Sequence, residues 1–211
     1  MLSPRVFLLS PARAGGERMG LILSPAARFP LARALHGPGA PLGEVFRFAS
    51  GLYFRGKLAY ARAFGRPPSG ASAALVIAPG AGLLGVETLV RGDDLRAFAA
   101  VPVDAADPRF RAPLDRDLAA LAGALGPAGQ AVLLGSIAAP KYVDPILSVL
   151  GERLLFPAEF VGRGDMSRGA LLLRAVEAGV ELRYLPLSGA RRHGARPPRL
   201  ACLARREPSR G

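Results

Sequence analysis

Between Phe160 and Arg174 the chain reads FVGRGDMSRGALLLR, which sets Gly162, Arg163, Gly164, Asp165, Ser167 and Arg168 directly before the apolar run Leu171–Leu173. A glycine-rich basic turn that opens a helix turns free backbone N–H groups and the positive end of the helix dipole toward one point. That is the chemistry of an anion site. Asp165 has two readings in this turn. Its carboxylate can cap the following helix by accepting first-turn N–H bonds. Alternatively it acts as a general base, or orients a water, between Arg163 and Arg168.

Of 28 basic residues only two are lysines, Lys57 and Lys141. Where arginine is the default cation, a lysine marks a position suited to a compact, titratable amine. Tyr53, Lys57 and Tyr60 fall at spacings of four and three and share one face of a helix, with Arg55 pointing elsewhere. An aromatic ring beside a cation suits a stacked base and its phosphate, or equally a solvated face whose tyrosines lie on the core. Lys141 follows Ser136 in GSIAAPK and precedes Tyr142. The segment is not GxxxxGK[ST], so no phosphate-binding P-loop is expected, but Lys141 stands beside Asp165 as a candidate catalytic residue. His36 and His193 are the only histidines and no carboxylate cluster has ligand spacing, so neither a metal nor a cofactor is expected. GxSxG is absent and Cys202 lies far from other chemistry-bearing residues. Carboxylate, Lys, Arg and Tyr chemistry remains, which suits base excision or phosphate-ester handling better than acyl transfer.

These residues need a scaffold, and the sequence describes one. Short apolar runs at Arg5–Ser10, Ala73–Ala78, Gln130–Leu134 and Arg153–Phe156 read as buried strands, and Glu181–Leu187 alternates as a final strand. Helical spacing marks Leu31–His36, Glu44–Phe64 split at Ser50–Gly51, a turn at Asp93–Phe98, Leu114–Leu125, Pro140–Leu150 and Asp165–Ala178. Pro102–Arg111 reads as irregular. Strands alternating with helices predict a single α/β layered domain over 1–187, with a mostly parallel or mixed sheet of about five strands flanked by helices. Residues 188–211, with Arg191, Arg192, Arg196, Arg199, Arg205, Arg206 and Arg210 against Glu207, read as a mobile basic tail.

In such sheets ligands sit outside the carboxyl ends of the strands. The loops expected there are SPARAGG with Ser10, Arg13 and, just beyond, Arg18; PGAG after the second strand; GSIAAPK with Ser136; and VGRG. Small residues let backbone approach a ligand, and the cations suit phosphate. A net charge of +12 favours polyanions, although the abundance of Ala, Gly, Pro and Arg is also what GC-rich codon usage produces. No apolar stretch is long enough to cross a bilayer, no secretory signal is legible, and a lone cysteine fits a reducing compartment, so a cytoplasmic protein is expected, with no membrane partner.

Four blocks, Phe7–Arg13 (FLLSPAR), Val76–Leu84 (VIAPGAGLL), Val132–Tyr142 (VLLGSIAAPKY) and Arg163–Leu173 (RGDMSRGALLL), have an order and spacing that resemble the YaaA-type peroxide-stress proteins. SPAR stands where that family has SPAK, and an SGLY string lies at Ser50–Tyr53 instead of after the second strand, which points to a sister group. The resemblance implies an α/β fold with a basic cleft, DNA binding and a stress-response role, with Ser10, Arg13, Ser136, Lys141, Tyr142, Arg163 and Arg168 in the cleft. The leading expectation is therefore a nucleic-acid-binding protein, DNA favoured, acting on damaged or modified bases. In it Arg163, Arg168 and the N–H groups around Gly162 and Gly164 hold phosphate, Tyr53 or Tyr142 stacks on a base, and replacing Arg168 leaves the fold nearly intact. Two alternatives stand beside it: an enzyme on a small phosphorylated metabolite or nucleotide in the same cleft, and an interaction protein docking through its basic tail.

Overall fold

The computed structural model describes residues 3–12, 16–198 and 200. Arg13, one of the expected cleft residues, lies outside them. In chain order the elements are β1 (Arg5–Leu9), α1 (Glu17–Leu23), α2 (Pro30–His36), β2 (Ala40–Pro41), α3 (Leu42–Ser50), α4 (Leu52–Phe64), β3 (Ala74–Ala78), β4 (Gly82–Gly85), β5 (Leu89–Val90) and α5 (Gly92–Ala100). There follow α6 (Pro108–Leu125), β6 (Gln130–Leu134), α7 (Pro140–Leu150), β7 (Leu154–Pro157), α8 (Asp165–Ala178) and β8 (Tyr184–Pro186).

Six strands form one sheet in the order β4-β3-β1-β6-β7-β8. β3, β1, β6 and β7 run parallel, while β4 and β8 are antiparallel edge strands. The fold is α/β. Val6–Leu9 and Ala131–Leu134 are buried at every consecutive position, the signature of strands covered on both faces. The covers are α4 with α8, and α6 with α7. A small second sheet pairs β2 with β5.

The connections produce a switch of direction at the centre of the sheet. From β1 the chain crosses to β3 on one side, and from β6 to β7 on the other. The carboxyl ends of β1 and β6 thus open a crevice where the strand order reverses, the usual ligand position in open α/β sheets. At the opposite end, Arg5 bonds Glu181 at 2.7 Å and Gln130 at 2.9 Å, and the Tyr60 and Tyr184 hydroxyls meet at 2.6 Å. That network ties the strands' amino ends to the Glu181–Tyr184 segment and leaves the other end free.

Several local expectations change. PGAG is not an open anion loop: Gly80 and Gly82 adopt φ of 80° and 85°, and the chain reverses directly into β4. Pro102–Arg111 is not irregular to its end, because Asp107 accepts the Arg109 N–H and starts α6 at Pro108, with Pro113 held inside the helix. Of Glu181–Leu187 only Tyr184–Pro186 pairs as a strand, and α1 forms where a loop was expected. Of the expected basic tail, Arg199, Arg205, Arg206, Glu207 and Arg210 lie outside the described residues; within 188–198 the Arg163 guanidinium donates to the Pro198 carbonyl, and Arg192 lies 3.8 Å from Asp144.

Helices α4 and α8 cross at two glycines, each five residues into its helix. A Cβ on Gly56 would lie 2.6 Å from the Gly169 carbonyl oxygen, and one on Gly169 would lie 2.8 Å from the Tyr53 Cα. Both obstacles are backbone, so neither can turn aside. Gly56→Ala is expected to destabilise the fold by about 2 kcal/mol, read as a fall in Tm of roughly 5 °C. An unchanged Tm would show that the crossing has slack.

Candidate active site

The tight crossing brings the first turns of α4 and α8 together above the crevice between β1 and β6. Gly51, with φ of 65°, ends α3 and begins α4 without a side-chain cap. Gly164 begins α8, also without one. Asp165 therefore does not cap its helix. It sits in the first turn, exposed, on the rim of a cavity of about 330 Å³ lined by Ser10, Pro11, Gly16, Ala49, Ser50, Tyr53, Lys57, Ser136 and Asp165.

Lys57 is the chemical centre of this cavity. Only 2% of it is exposed. Its Nζ donates to the Ser10 carbonyl at 2.8 Å and to Ser10 Oγ at 2.9 Å, and lies 4.4 Å from the centroid of the Tyr53 ring. Among the described residues it forms no ion pair with a carboxylate. Burying a cation without a counter-ion disfavours the charged form. Burial accordingly brings the Lys57 amine from its ordinary value of 10.5 down to about 7; the negative charge of Asp165 opposes this shift and the positive charge of Arg168 adds to it.

Tyr53 and Arg168 form the wall behind the amine. The Tyr53 hydroxyl and Arg168 Nη1 both donate to the Gly135 carbonyl, each at 3.3 Å, at the exit of β6. Arg168 Nε and Nη2 donate to the Phe160 carbonyl at 3.3 and 3.0 Å. Burial pushes the Tyr53 hydroxyl above its usual value, against the opposing charge of Arg168. The backbone at Gly135 approaches the first loop closely, since a Cβ there would stand 3.0 Å from the Ser10 Cβ.

Of the sequence-derived candidates, Ser10, Tyr53, Lys57, Ser136 and Asp165 line one cavity, with Arg168 immediately behind them. The others lie elsewhere. Arg163 binds Ser167 Oγ and the Pro198 carbonyl, facing with Gly164 into a separate surface depression. Gly162 packs against the Ala195 carbonyl. Arg18 is exposed on α1, in a neighbouring depression with Phe48, Arg55 and the Arg47–Glu44 ion pair. Lys141 is exposed at the start of α7, and the Tyr142 ring lines an apolar cavity of about 250 Å³ with Met19, Phe46 and Phe98. Sequence reasoning missed Pro11, Gly16, Ala49 and Ser50 as lining residues; the helix break at Ser50–Gly51 was the available signal for the last two. Among the described residues no His, Cys, Asp or Glu group is arranged to hold a metal ion.

The chain has no match among protein-family models, curated proteins or solved structures. The site must be read from its own geometry.

Arg168 departs from its expected role. It is buried, and its guanidinium ties β6 to the turn before α8. Arg168→Ala should therefore cost about 3 kcal/mol of stability in chemical denaturation, since hydrogen bonds to a charged donor are lost from a buried site; a loss below about 0.5 kcal/mol would return Arg168 to a purely ligand-facing role.

The Lys57 shift also has a definite sign. Between about pH 7 and 10.5 the unfolded chain holds a proton here that the folded chain has released, so stability rises with pH across that window. Below pH 7 the folded state bears the whole cost of the buried charge. Measured against Lys57→Met, the wild-type chain should gain on the order of a few kcal/mol from pH 7 to 10.5. A stability difference that does not vary with pH would mean that Lys57 stays charged.

Proposed function

We propose that the chain is an enzyme acting on a small anionic ligand, of the size of a phosphorylated metabolite or mononucleotide, bound in the crevice between β1 and β6. One observation carries this reading: the amine of Lys57 lies at the floor of a small-molecule-sized cavity, without a counter-ion and with its pKa lowered to about 7. Buried cations without partners are costly, and such groups in a cleft are poised for proton transfer, nucleophilic attack or anion binding. The uncapped first turns of α4 and α8 beside the amine add backbone donors of the same sign. Asp165, on the rim, is the candidate general base; Ser10 and Ser136 offer hydroxyls to orient the ligand.

The geometry favours a small ligand over a nucleic-acid strand at this point. A cavity of about 330 Å³ admits one nucleoside-sized group, and the arginines expected to track a phosphate backbone do not converge on it. Arg163 and Arg168 hold protein carbonyls instead. A second reading keeps support from one feature. Arg18 and Arg55 lie with Phe48 in an open depression beside the residues that begin α4, next to an Arg47–Glu44 ion pair, on a chain of net charge +12. A strand bound there, with one unstacked nucleotide turned into the Lys57 cavity, is the DNA-directed alternative, in keeping with the YaaA-type resemblance.

Isothermal titration with inorganic phosphate, mononucleotides and a short single-stranded DNA tests the two readings. Saturable binding of a phosphate or mononucleotide that resists moderate salt and falls at least tenfold in Lys57→Met is the expected result. Binding confined to DNA, steeply salt-dependent and lost on replacing Arg18 and Arg55, would overturn it in favour of the second.

A further inference from the structure

Building on that reading, we propose that Lys57 is a covalent catalyst that forms an imine with an aldehyde or ketone substrate carrying an anionic group. The geometry meets the requirements of this step one by one. The neutral amine directs its two N–H groups to the Ser10 carbonyl and Ser10 Oγ, leaving its lone pair for an electrophile. The cavity at the amine has space for a small carbonyl compound. The Tyr53 ring face, 4.4 Å from Nζ, and the Phe54 ring, 5.3 Å away, favour a cation at nitrogen, which the protonated imine retains. Burial holds enough of the amine neutral near pH 7 to attack.

The step balances with water as the sole by-product. The Nζ lone pair attacks the carbonyl carbon, the C=O π pair moves to oxygen, and that oxygen takes a proton from solvent. Nitrogen gives one proton to Asp165, the carboxylate lining the same cavity, which leaves the neutral carbinolamine, and Asp165 passes that proton to the hydroxyl. Water leaves as the nitrogen lone pair forms the C=N bond, so amine, carbonyl and one solvent proton become protonated imine and water. No oxidant, reductant or cofactor enters.

With only two lysines in the sequence, the experiment carries its own control. The full chain is incubated at pH 7.5 with glyceraldehyde 3-phosphate, and separately with pyruvate and with propanal, each followed by borohydride reduction and peptide mass mapping. The expected result is saturable reduced adduct on Lys57 at least tenfold above that on the exposed Lys141, with the two anionic probes ahead of propanal. The yield should rise as pH increases through about 7. Adduct on Lys141 or the α-amine at or above the level on Lys57 would overturn the proposal. Phosphate protecting the cavity in titration while no Lys57 adduct forms would overturn the imine step and leave the small-ligand reading standing. Absence of both binding and adduct would remove the two together.

Discussion

The whole site depends on two helices touching without side chains between them. Because Gly56 and Gly169 present bare backbone, α4 and α8 meet within five residues of their first turns, and everything that faces the crevice follows from that closeness. It carries Tyr53 and Lys57 from one helix and Asp165 and Arg168 from the other to the carboxyl ends of β1 and β6. A larger side chain at either glycine would lift one helix, open the wall behind Lys57 and admit the water whose exclusion sets the chemistry of its amine.

The second constraint comes from the sheet. Its strand order reverses between β1 and β6, so the chain leaving each strand turns away from the other and a crevice remains at their carboxyl ends. Two carbonyls at this edge act as anchors. Ser10 O receives the Lys57 amine, and Gly135 O receives both the Tyr53 hydroxyl and the Arg168 guanidinium. The polar groups of the site are therefore held by backbone that leaves the buried central strands directly, which is the rigidity that a preorganised cavity needs. The amino ends of the same strands are closed by the Arg5, Glu181, Tyr60 and Tyr184 network, so the crevice opens only at their carboxyl ends.

Much of this was legible in residue order, for definite reasons. Four apolar runs bounded by Pro and Gly could bury only as strands, and the Ser50–Gly51 break, the start of α7 and both ends of α8 follow from local turn and helix preferences. The rarity of lysine pointed to Lys57, and the basic turn before α8 pointed to Asp165. What stayed hidden needed distance in three dimensions. Arg168 reads as a free cation in sequence and becomes a buried tie because α8 docks over Gly135. Lys141 reads like Lys57 but is exposed in the first turn of α7 and does not line the Lys57 cavity. The PGAG segment reads as an anion loop and instead reverses as a hairpin, because only cross-strand pairing reveals Gly82–Gly85 as an edge strand. Gly56 carries no signal at all outside the crossing that it allows.

NMR titration of the lysine side chains reads the amine at the floor of the crevice without a ligand or an assay. Only two resonances are expected, and Lys57→Arg assigns the one from Lys57 by its disappearance. This resonance should titrate at about pH 7, against the ordinary lysine value of 10.5. Titration of Lys57 at or above pH 10 would contradict it, and would leave the lysine as a buried structural cation holding Ser10.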